Sequence, residues 1–119
     1  MGYYTYYTMG AHDTKTNTPV SEELEKTICE RLYAISKGAI FDGETFDECL
    51  DDGLKWYDHF ENMLVLSVEF PDVVIKLEGE GEDRDDNWRL FVQNGMWERV
   101  CARIMWDSPT NKNFWSLDH

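Results

Sequence analysis

The segment from Leu54 to Trp106 constrains the fold most, because strand and helix patterns follow one another along it almost without interruption. Leu54 to Tyr57 is predicted as a strand. Asp58 has the character of a helix N-cap, with Glu61 three residues later in the spacing of a reciprocal capping box. The helix is predicted to end before Phe70-Pro71, because a residue that precedes proline is disfavoured in the helical region. Its predicted buried face is formed by Phe60, Met63, Leu64 and Ser67.

Three strands are predicted after this helix. Val73 to Glu80 has apolar residues on one face and charged residues on the other, the period of a half-buried strand. Trp88 to Val92 and Met96 to Trp106 are predicted to be the arms of a hairpin, since Asn94-Gly95 between them is a strong signal for a tight turn.

The first half of the chain is predicted to contain a strand, a helix and a less regular segment. Tyr3 to Met9 alternates aromatic residues and threonines and indicates a strand. Ser21 is the predicted N-cap of a helix that ends at Lys37-Gly38. A short strand is possible at Ala39 to Phe41, and a helical turn within Thr45 to Leu50 would direct Phe46 and Leu50 inward. The apolar stripe of the helix is formed by Leu24, Ile28, Leu32 and Ile35.

This order predicts an α+β protein, a two-layer sandwich of helices against a mainly antiparallel sheet. The first six elements match the ferredoxin-like βαββαβ arrangement, and a β-hairpin is added at the C-terminus. With 119 residues, a single domain is predicted over residues 1–107, followed by a polar tail over residues 108–119.

Composition and charge restrict the class of partner. The chain is 42% hydrophobic and 14% aromatic, which is typical of a folded protein, and it has neither a membrane-spanning apolar run nor a signal peptide pattern. The odd count of three cysteines indicates a reducing cytoplasm, and all three are interpreted as small buried apolar residues. The net charge of −13 disfavours direct contact with nucleic acid or anionic membranes, and it permits a basic protein surface or a cation as partner.

Two acidic runs are the candidate partner-binding residues. If they lie together they form a negative patch, which would accelerate encounter with a basic surface and place carboxylates where nucleic-acid phosphates would sit. The alternative is two separate solvated loops. Charge reversal at Asp47, Glu48, Asp51 and Asp52 is expected to weaken binding without disturbing the fold. The runs consist of Asp42, Glu44, Asp47, Glu48, Asp51 and Asp52, and of Glu78, Glu80, Glu82, Asp83, Asp85 and Asp86.

The second run has two further interpretations. Its carboxylates resemble the ligands of a hard cation such as Ca²⁺, although the spacing is not that of an EF-hand loop. Glycines that alternate with glutamates are more typical of a charged sheet edge and the turn that follows it, and this interpretation is favoured here.

Catalytic motifs are absent from the sequence. No HExxH, Cys-x-x-Cys or regularly spaced histidine triplet occurs, and no catalytic residue, metal or cofactor is predicted. The alternative is a small metal- or ligand-dependent enzyme on a ferredoxin-like sheet, with His59, Glu78 and Glu80 as its site.

One face of the last predicted strand is a second candidate interface. Trp97, Arg99 and Arg103 share that face, and exposed Trp and Arg dominate protein interfaces. This face would bind a partner or a second copy of the chain, or it would lie under the C-terminal tail. A structural homo-oligomer is therefore a third candidate function.

The pattern YYTYY…KWYDH…FPDV…GEGE…NG resembles small, acidic, uncharacterised proteins of phages, prophages and other mobile elements. The matching positions include Tyr3 to Tyr7, Trp56 to His59, Phe70 to Val73, and Asn94-Gly95, and the chain departs from the pattern at Phe60. The resemblance implies a mobile-element origin and brings no activity with it.

Together these observations predict a non-enzymatic binding protein in the cytoplasm of a bacterial host. It would modulate or inhibit a host protein through its acidic surface. The specific form to be tested is an anti-defence factor that inhibits a nuclease.

Overall fold

The computed structural model describes residues 5–51, 53–81 and 87–101. These residues form four strands and three helices in the order βαααβββ. The strands are β1 (Thr5–Asp13), β2 (Val73–Gly81), β3 (Asn87–Gln93) and β4 (Met96–Cys101). The helices are α1 (Glu22–Ile35), α2 (Phe46–Cys49) and α3 (His59–Glu69).

The four strands form one antiparallel sheet in the order β1-β2-β3-β4. The helices lie on one face of this sheet, where α2 contacts β1 and α3 contacts β2 and β3. We call this the helix face, and the opposite surface the open face. The predicted α+β class with a mainly antiparallel sheet is confirmed.

Alternation along the strands builds the core. In β2, Val73, Ile75 and Leu77 are buried, while Lys76 and Glu78, at the alternate positions, are only partly covered. Across the pairings Leu77–Leu90 and Ile75–Val92, apolar side chains of neighbouring strands lie side by side on the helix face. Because a one-residue slip would move the whole apolar set to the open face, this pattern fixes the register.

Two predicted strands between the helices are wrong. Residues 39–41 form bends and irregular structure, and Leu54 makes only an isolated antiparallel bridge to Thr5. Leu54 and Trp56 are buried while Lys55 and Tyr57 are exposed, which is the alternation of an extended segment. An extended segment that leads directly into α3 has this alternation without pairing along a neighbouring strand.

The sheet does not support the ferredoxin-like arrangement. A βαβ crossover joins parallel strands, whereas here the three helices connect β1 and β2, which are adjacent and antiparallel. The hairpin of β3 and β4 is the continuation of this sheet, and its turn has positive φ at both Asn94 (47°) and Gly95 (81°). Positive φ at both central residues is the geometry of a type I′ turn, which the Asn-Gly pair predicts.

The helix ends follow the sequence in α1 and depart from it in α3. The Ser21 hydroxyl accepts a hydrogen bond from the N–H of Leu24 at 3.2 Å, as expected of an N-cap. Asp58 occupies the N-cap position of α3, but its side chain makes no capping hydrogen bond, so the predicted capping box is wrong. The backbone of Asp58 (φ −93°, ψ 23°) lies outside the extended region from which a cap side chain reaches back.

Several predictions fall outside the described residues. They are the part of the last strand beyond Cys101, the domain boundary at residue 107, the tail over residues 108–119, and the site residues Asp52, Glu82, Asp83, Asp85, Asp86 and Arg103.

Candidate functional site

Residues 41–51 form an acidic projection beside β1, which we call the acidic knob. Its backbone is closed on itself, because the N–H of Phe41 donates to the carbonyl oxygen of Cys49 at 2.9 Å. Thr45 caps α2 by accepting a hydrogen bond from the N–H of Glu48 at 3.2 Å. The helical turn predicted from sequence is therefore confirmed, within a compact loop.

The acidic knob is anchored to the protein core by its buried side chains. Phe46, Cys49 and Leu50 are buried, with exposed fractions of 8%, 2% and 5%. On the side facing α1, the Glu25 carboxylate accepts a hydrogen bond from the N–H of Phe46 at 2.8 Å. Apolar contacts and a charge-assisted hydrogen bond thus hold the acidic knob in one position on the fold.

The solvent-facing surface of the acidic knob is negatively charged. The carboxylate residues on it are all exposed, and the Nζ of Lys26 in α1 lies 3.7 Å from Glu44 Oε1. The side chains of this pair are 51% and 73% exposed, so water screens their attraction and the pair neutralises little of the local field. The exposed carboxylate residues are Asp42, Glu44, Asp47, Glu48 and Asp51.

Two residues of the acidic knob, Glu48 and Phe41, differ from the other exposed side chains. Glu48 accepts a hydrogen bond from the N–H of Glu44 at 3.0 Å, so its carboxylate helps to hold the loop. Phe41, by contrast, is an aromatic side chain with 47% of its surface exposed beside the carboxylates. The acidic knob therefore combines negative charge with one apolar contact point, the composition of many protein-binding surfaces.

The thiols beneath the acidic knob are inert packing groups. Cys49 packs against Cys29 of α1, and burial raises the pKa of both thiols. A thiol with a raised pKa is neutral at physiological pH and unreactive. The prediction of buried apolar cysteines is confirmed for these two and wrong for Cys101, which is exposed on β4 because that strand has no covered face at its end.

The described members of the second acidic run lie elsewhere. Glu78 and Glu80 project from the open face of β2, opposite the face on which the acidic knob is built. Glu78 is also neutralised locally, with Lys76 Nζ at 3.1 Å and Arg89 Nε at 3.2 Å from its Oε1. Among the residues that the structure describes, the two runs form no common patch.

The favoured sheet-edge interpretation of the second run is wrong for its first half. β2 is an inner strand, paired with β1 from Val73 to Gly81 and with β3 over most of this length. The presence of glycine at position 79 is explained by packing and not by a sheet edge. A β-carbon there would lie 2.8 Å from Nε1 of Trp88 and closer still to its Cε2 and Cζ2, so Gly79 leaves the space in which this indole lies.

His59 belongs to an aromatic cluster on the helix face. Its ring stacks on Trp88 with centroids 4.9 Å apart, and its Nδ1 lies 3.0 Å from the carbonyl oxygen of Trp56. Burial lowers the pKa of His59, and the nearby Arg99 adds to this effect. Because Glu78 and Glu80 project from the other face of the sheet, the three residues of the predicted enzyme site are not brought together.

Sequence reasoning missed this cluster. Tyr7 contacts Trp88 edge-on with centroids 6.0 Å apart, and its hydroxyl donates to the carbonyl oxygen of Trp56 at 3.3 Å. A signal was present in the sequence, because a glycine in one strand often receives an aromatic side chain from the strand beside it. The pairing of Gly79 with Trp88 could not be read before the register was known.

The two described members of the second candidate interface lie on the same face of β4. Trp97 and Arg99 project to the helix face, where the Trp97 ring contacts Phe60 of α3 edge-on with centroids 4.9 Å apart. The Arg99 guanidinium lies 5.0 Å from the centre of the Trp88 ring. Trp97 remains 55% exposed after this contact, so α3 covers this strand face only in part.

Comparison with known proteins adds no assignment, since no family model, curated protein or solved structure matches the chain. Within the described ranges, no cluster of three or more His, Cys, Asp or Glu side chains is arranged to hold a metal ion. In the same ranges, none of the helices combines the length and the apolar character needed to cross a membrane.

Proposed function

We propose that the protein acts by binding, and that the acidic knob docks on a basic surface of another protein. The observation that carries this proposal is the fixed position of five exposed carboxylate residues on an anchored loop. A surface that is already ordered loses little conformational freedom when it binds, so more of its interaction energy appears as affinity. Its negative field would attract a basic partner and raise the association rate.

The proposed partner is a host protein with a basic, nucleic-acid-binding surface, such as a defence nuclease. Carboxylates held on a rigid loop can occupy the positions of phosphates in a basic groove, and Phe41 would provide an apolar contact beside them. The origin of the protein in a phage or mobile element, its place in the host cytoplasm, and the inhibitory outcome all belong to this proposal. They rest on the resemblance of the sequence and on the net charge of −13.

Two charge reversals are used to test the acidic knob, instead of the four that the sequence alone suggested. Asp42→Lys with Asp47→Lys reverses two exposed charges and leaves Glu48 in place, because Glu48 also holds the loop. The matched control is Glu61→Lys with Asp72→Lys, which makes the same change in net charge at exposed positions on α3 and before β2. Both double variants should keep the fold, since exposed substitutions usually change stability by about 0.5 kcal/mol or less.

The experiment is quantitative capture from bacterial lysate at low and high salt, with wild type and both double variants as bait. The proposal expects a protein that wild type and the control variant retain at low salt and that the Asp42/Asp47 variant releases. If the control variant releases the same protein equally, only net charge matters and the acidic knob is not the docking surface. If nothing is retained by wild type at low salt, the binding function itself is contradicted.

A further inference from the structure

Strand β4 is an open sheet edge within the part of the chain that the structure describes. All six of its residues are exposed, and three of them are large and apolar: Met96 at 67%, Trp97 at 55% and Val100 at 47% exposure. Edge strands of soluble monomers are usually short, charged or covered, because an open edge pairs with other strands. An apolar, uncovered edge therefore indicates a pairing surface.

The opposite edge of the sheet is protected. Along β1, Thr5 bridges Leu54 and His12 bridges Pro19, and the carbonyl oxygen of Ala11 accepts a hydrogen bond from the N–H of Val20 at 3.1 Å. Neighbouring chain segments thus block β1 at Thr5 and over residues 11–13, at its two ends. The two edges therefore differ: among the described residues, β1 is bridged at both ends, whereas β4 makes no bridge on its outer side.

The hairpin fixes which backbone groups of β4 point outward. In a two-residue hairpin the closing pair, here Gln93 and Met96, is hydrogen-bonded, and hydrogen-bonded pairs then alternate along the ladder. The N–H and C=O groups of Met96, Glu98 and Val100 therefore point toward β3. Those of Trp97, Arg99 and Cys101 point away from the sheet, toward a further strand.

We propose that β4 pairs with β4 of a second copy of this chain, in an antiparallel, two-fold symmetric dimer that continues the sheet. A two-fold axis that relates adjacent antiparallel strands is perpendicular to the sheet, so paired residues lie on the same face. The axis must therefore pass between one residue of β4 and the same residue of the partner subunit, which pair directly with each other. This inference does not depend on the function proposed for the acidic knob.

The side chains select Glu98 as the residue on the axis. In that register Trp97 pairs with the partner's Arg99, and each such pair exchanges both of its outward N–H···O hydrogen bonds. An aromatic ring then lies beside a guanidinium on the helix face, and Met96 lies beside the partner's Val100 on the open face. With Arg99 on the axis instead, Glu98 would face Val100 of the partner subunit. That register is less favourable because it places a charged side chain against an apolar one.

This register makes one unfavourable contact, which provides the test. Glu98 faces the partner's Glu98 in a non-hydrogen-bonded pair, where side chains are closest and like charges repel. Removing this repulsion by Glu98→Gln should tighten the dimer by about two- to five-fold, the range for one cross-strand pair. Arg99→Glu should weaken it, because a carboxylate would then lie against the face of the partner's Trp97.

The measurement is sedimentation velocity of the full chain over a range of concentrations, for wild type, Glu98→Gln and Arg99→Glu. Cross-linking fixes the register: in a Cys101→Ser background, Glu98→Cys places two thiols across the axis within disulfide distance. Val100→Cys in the same background is the matched control, since its two copies would be roughly 13 Å apart along the strands. Oxidised glutathione serves as the oxidant, and it is reduced as the two thiols form the disulfide.

The proposal expects a concentration-dependent dimer, tightened by Glu98→Gln and weakened by Arg99→Glu, and cross-linked at position 98 but not at position 100. A monomer at every concentration overturns the proposal. So does a dimer that neither substitution changes, or one that cross-links equally at both positions, because its interface would lie elsewhere or in another register.

Discussion

Replacing Gly79 by alanine is the most specific test of how the sheet and α3 fit together. The added methyl group would lie 2.8 Å from Nε1 of Trp88 and closer to two of its ring carbons, a separation that requires movement. The ring cannot move freely, because it stacks on His59, contacts Tyr7 edge-on and has Arg99 at 5.0 Å from its centre.

The expected cost follows from this confinement. Overpacking of a well-filled core costs typically about 1 to 3 kcal/mol. Because rings on two sides hold the Trp88 indole and it is only 7% exposed, we expect a value near the upper end, about 2 to 3 kcal/mol. Urea unfolding followed by far-ultraviolet circular dichroism measures this change without relying on tryptophan emission.

Gly10→Ala is the matched control. Gly10 lies in the neighbouring strand on the open face, and a β-carbon there would meet only the flexible Lys76 side chain, at 3.9 Å. This substitution should be neutral or stabilise by roughly 0.4 to 1 kcal/mol through the unfolded chain. In a Trp88→Leu background, Gly79→Ala should lose most of its cost, since the clash is removed. Equal effects at the two glycines in the wild-type background would refute the proposed packing of Trp88.

Two further predictions concern groups on α3. Burial lowers the pKa of His59 in the folded protein, so on acidification the imidazole is protonated first in the unfolded chain. The free energy of unfolding should therefore fall as the pH drops below about 6.5. His59→Gln should flatten this dependence between about pH 5 and 7 in urea titrations. The Ser67 hydroxyl donates to the carbonyl oxygen of Leu64 at 2.7 Å and accepts from the N–H of Gly95 at 2.9 Å, so Ser67→Ala leaves a partly buried N–H unpaired. We expect a loss of about 1 to 3 kcal/mol in urea unfolding, with faster hydrogen exchange at Gly95, and unchanged exchange there would contradict the role of this contact.

Local signals in the sequence predicted the elements well where each had its own chemistry. Ser21 begins α1, Asn94-Gly95 forms the hairpin turn, and the apolar positions of β2 lie on the core face. These features depend on neighbouring residues alone. The turn of helix in the acidic knob was also predictable, because Phe46 and Leu50 are spaced to face inward.

The topology could not be predicted in the same way. The alternation over Leu54 to Tyr57 is equally compatible with a strand and with an extended segment that makes one bridge to Thr5. Sequence alone gives no information on which strands are neighbours, and the adjacency of β1 and β2 joins residues far apart in the chain. The ferredoxin-like expectation followed from counting strands, and it depended on two that do not form.

The candidate site was predictable in composition and not in arrangement. The acidic residues were identified from their density, but the face on which each one projects depends on the sheet register. Glu78 illustrates the difference, because its two cationic neighbours come from its own strand and from β3. The exposure of Phe41 within the acidic knob could likewise not be predicted, because an apolar residue in sequence is equally compatible with a buried position.

The association rate of the captured partner, measured as a function of ionic strength, tests the central claim most directly. If the acidic knob steers binding, the wild-type rate falls steeply with added salt, and Asp42→Lys with Asp47→Lys lowers both the rate at low salt and its salt dependence. The control variant with Glu61→Lys and Asp72→Lys should stay closer to wild type. Identical salt dependence in the two double variants would contradict the account, because the attraction would then arise from total charge and not from the acidic knob.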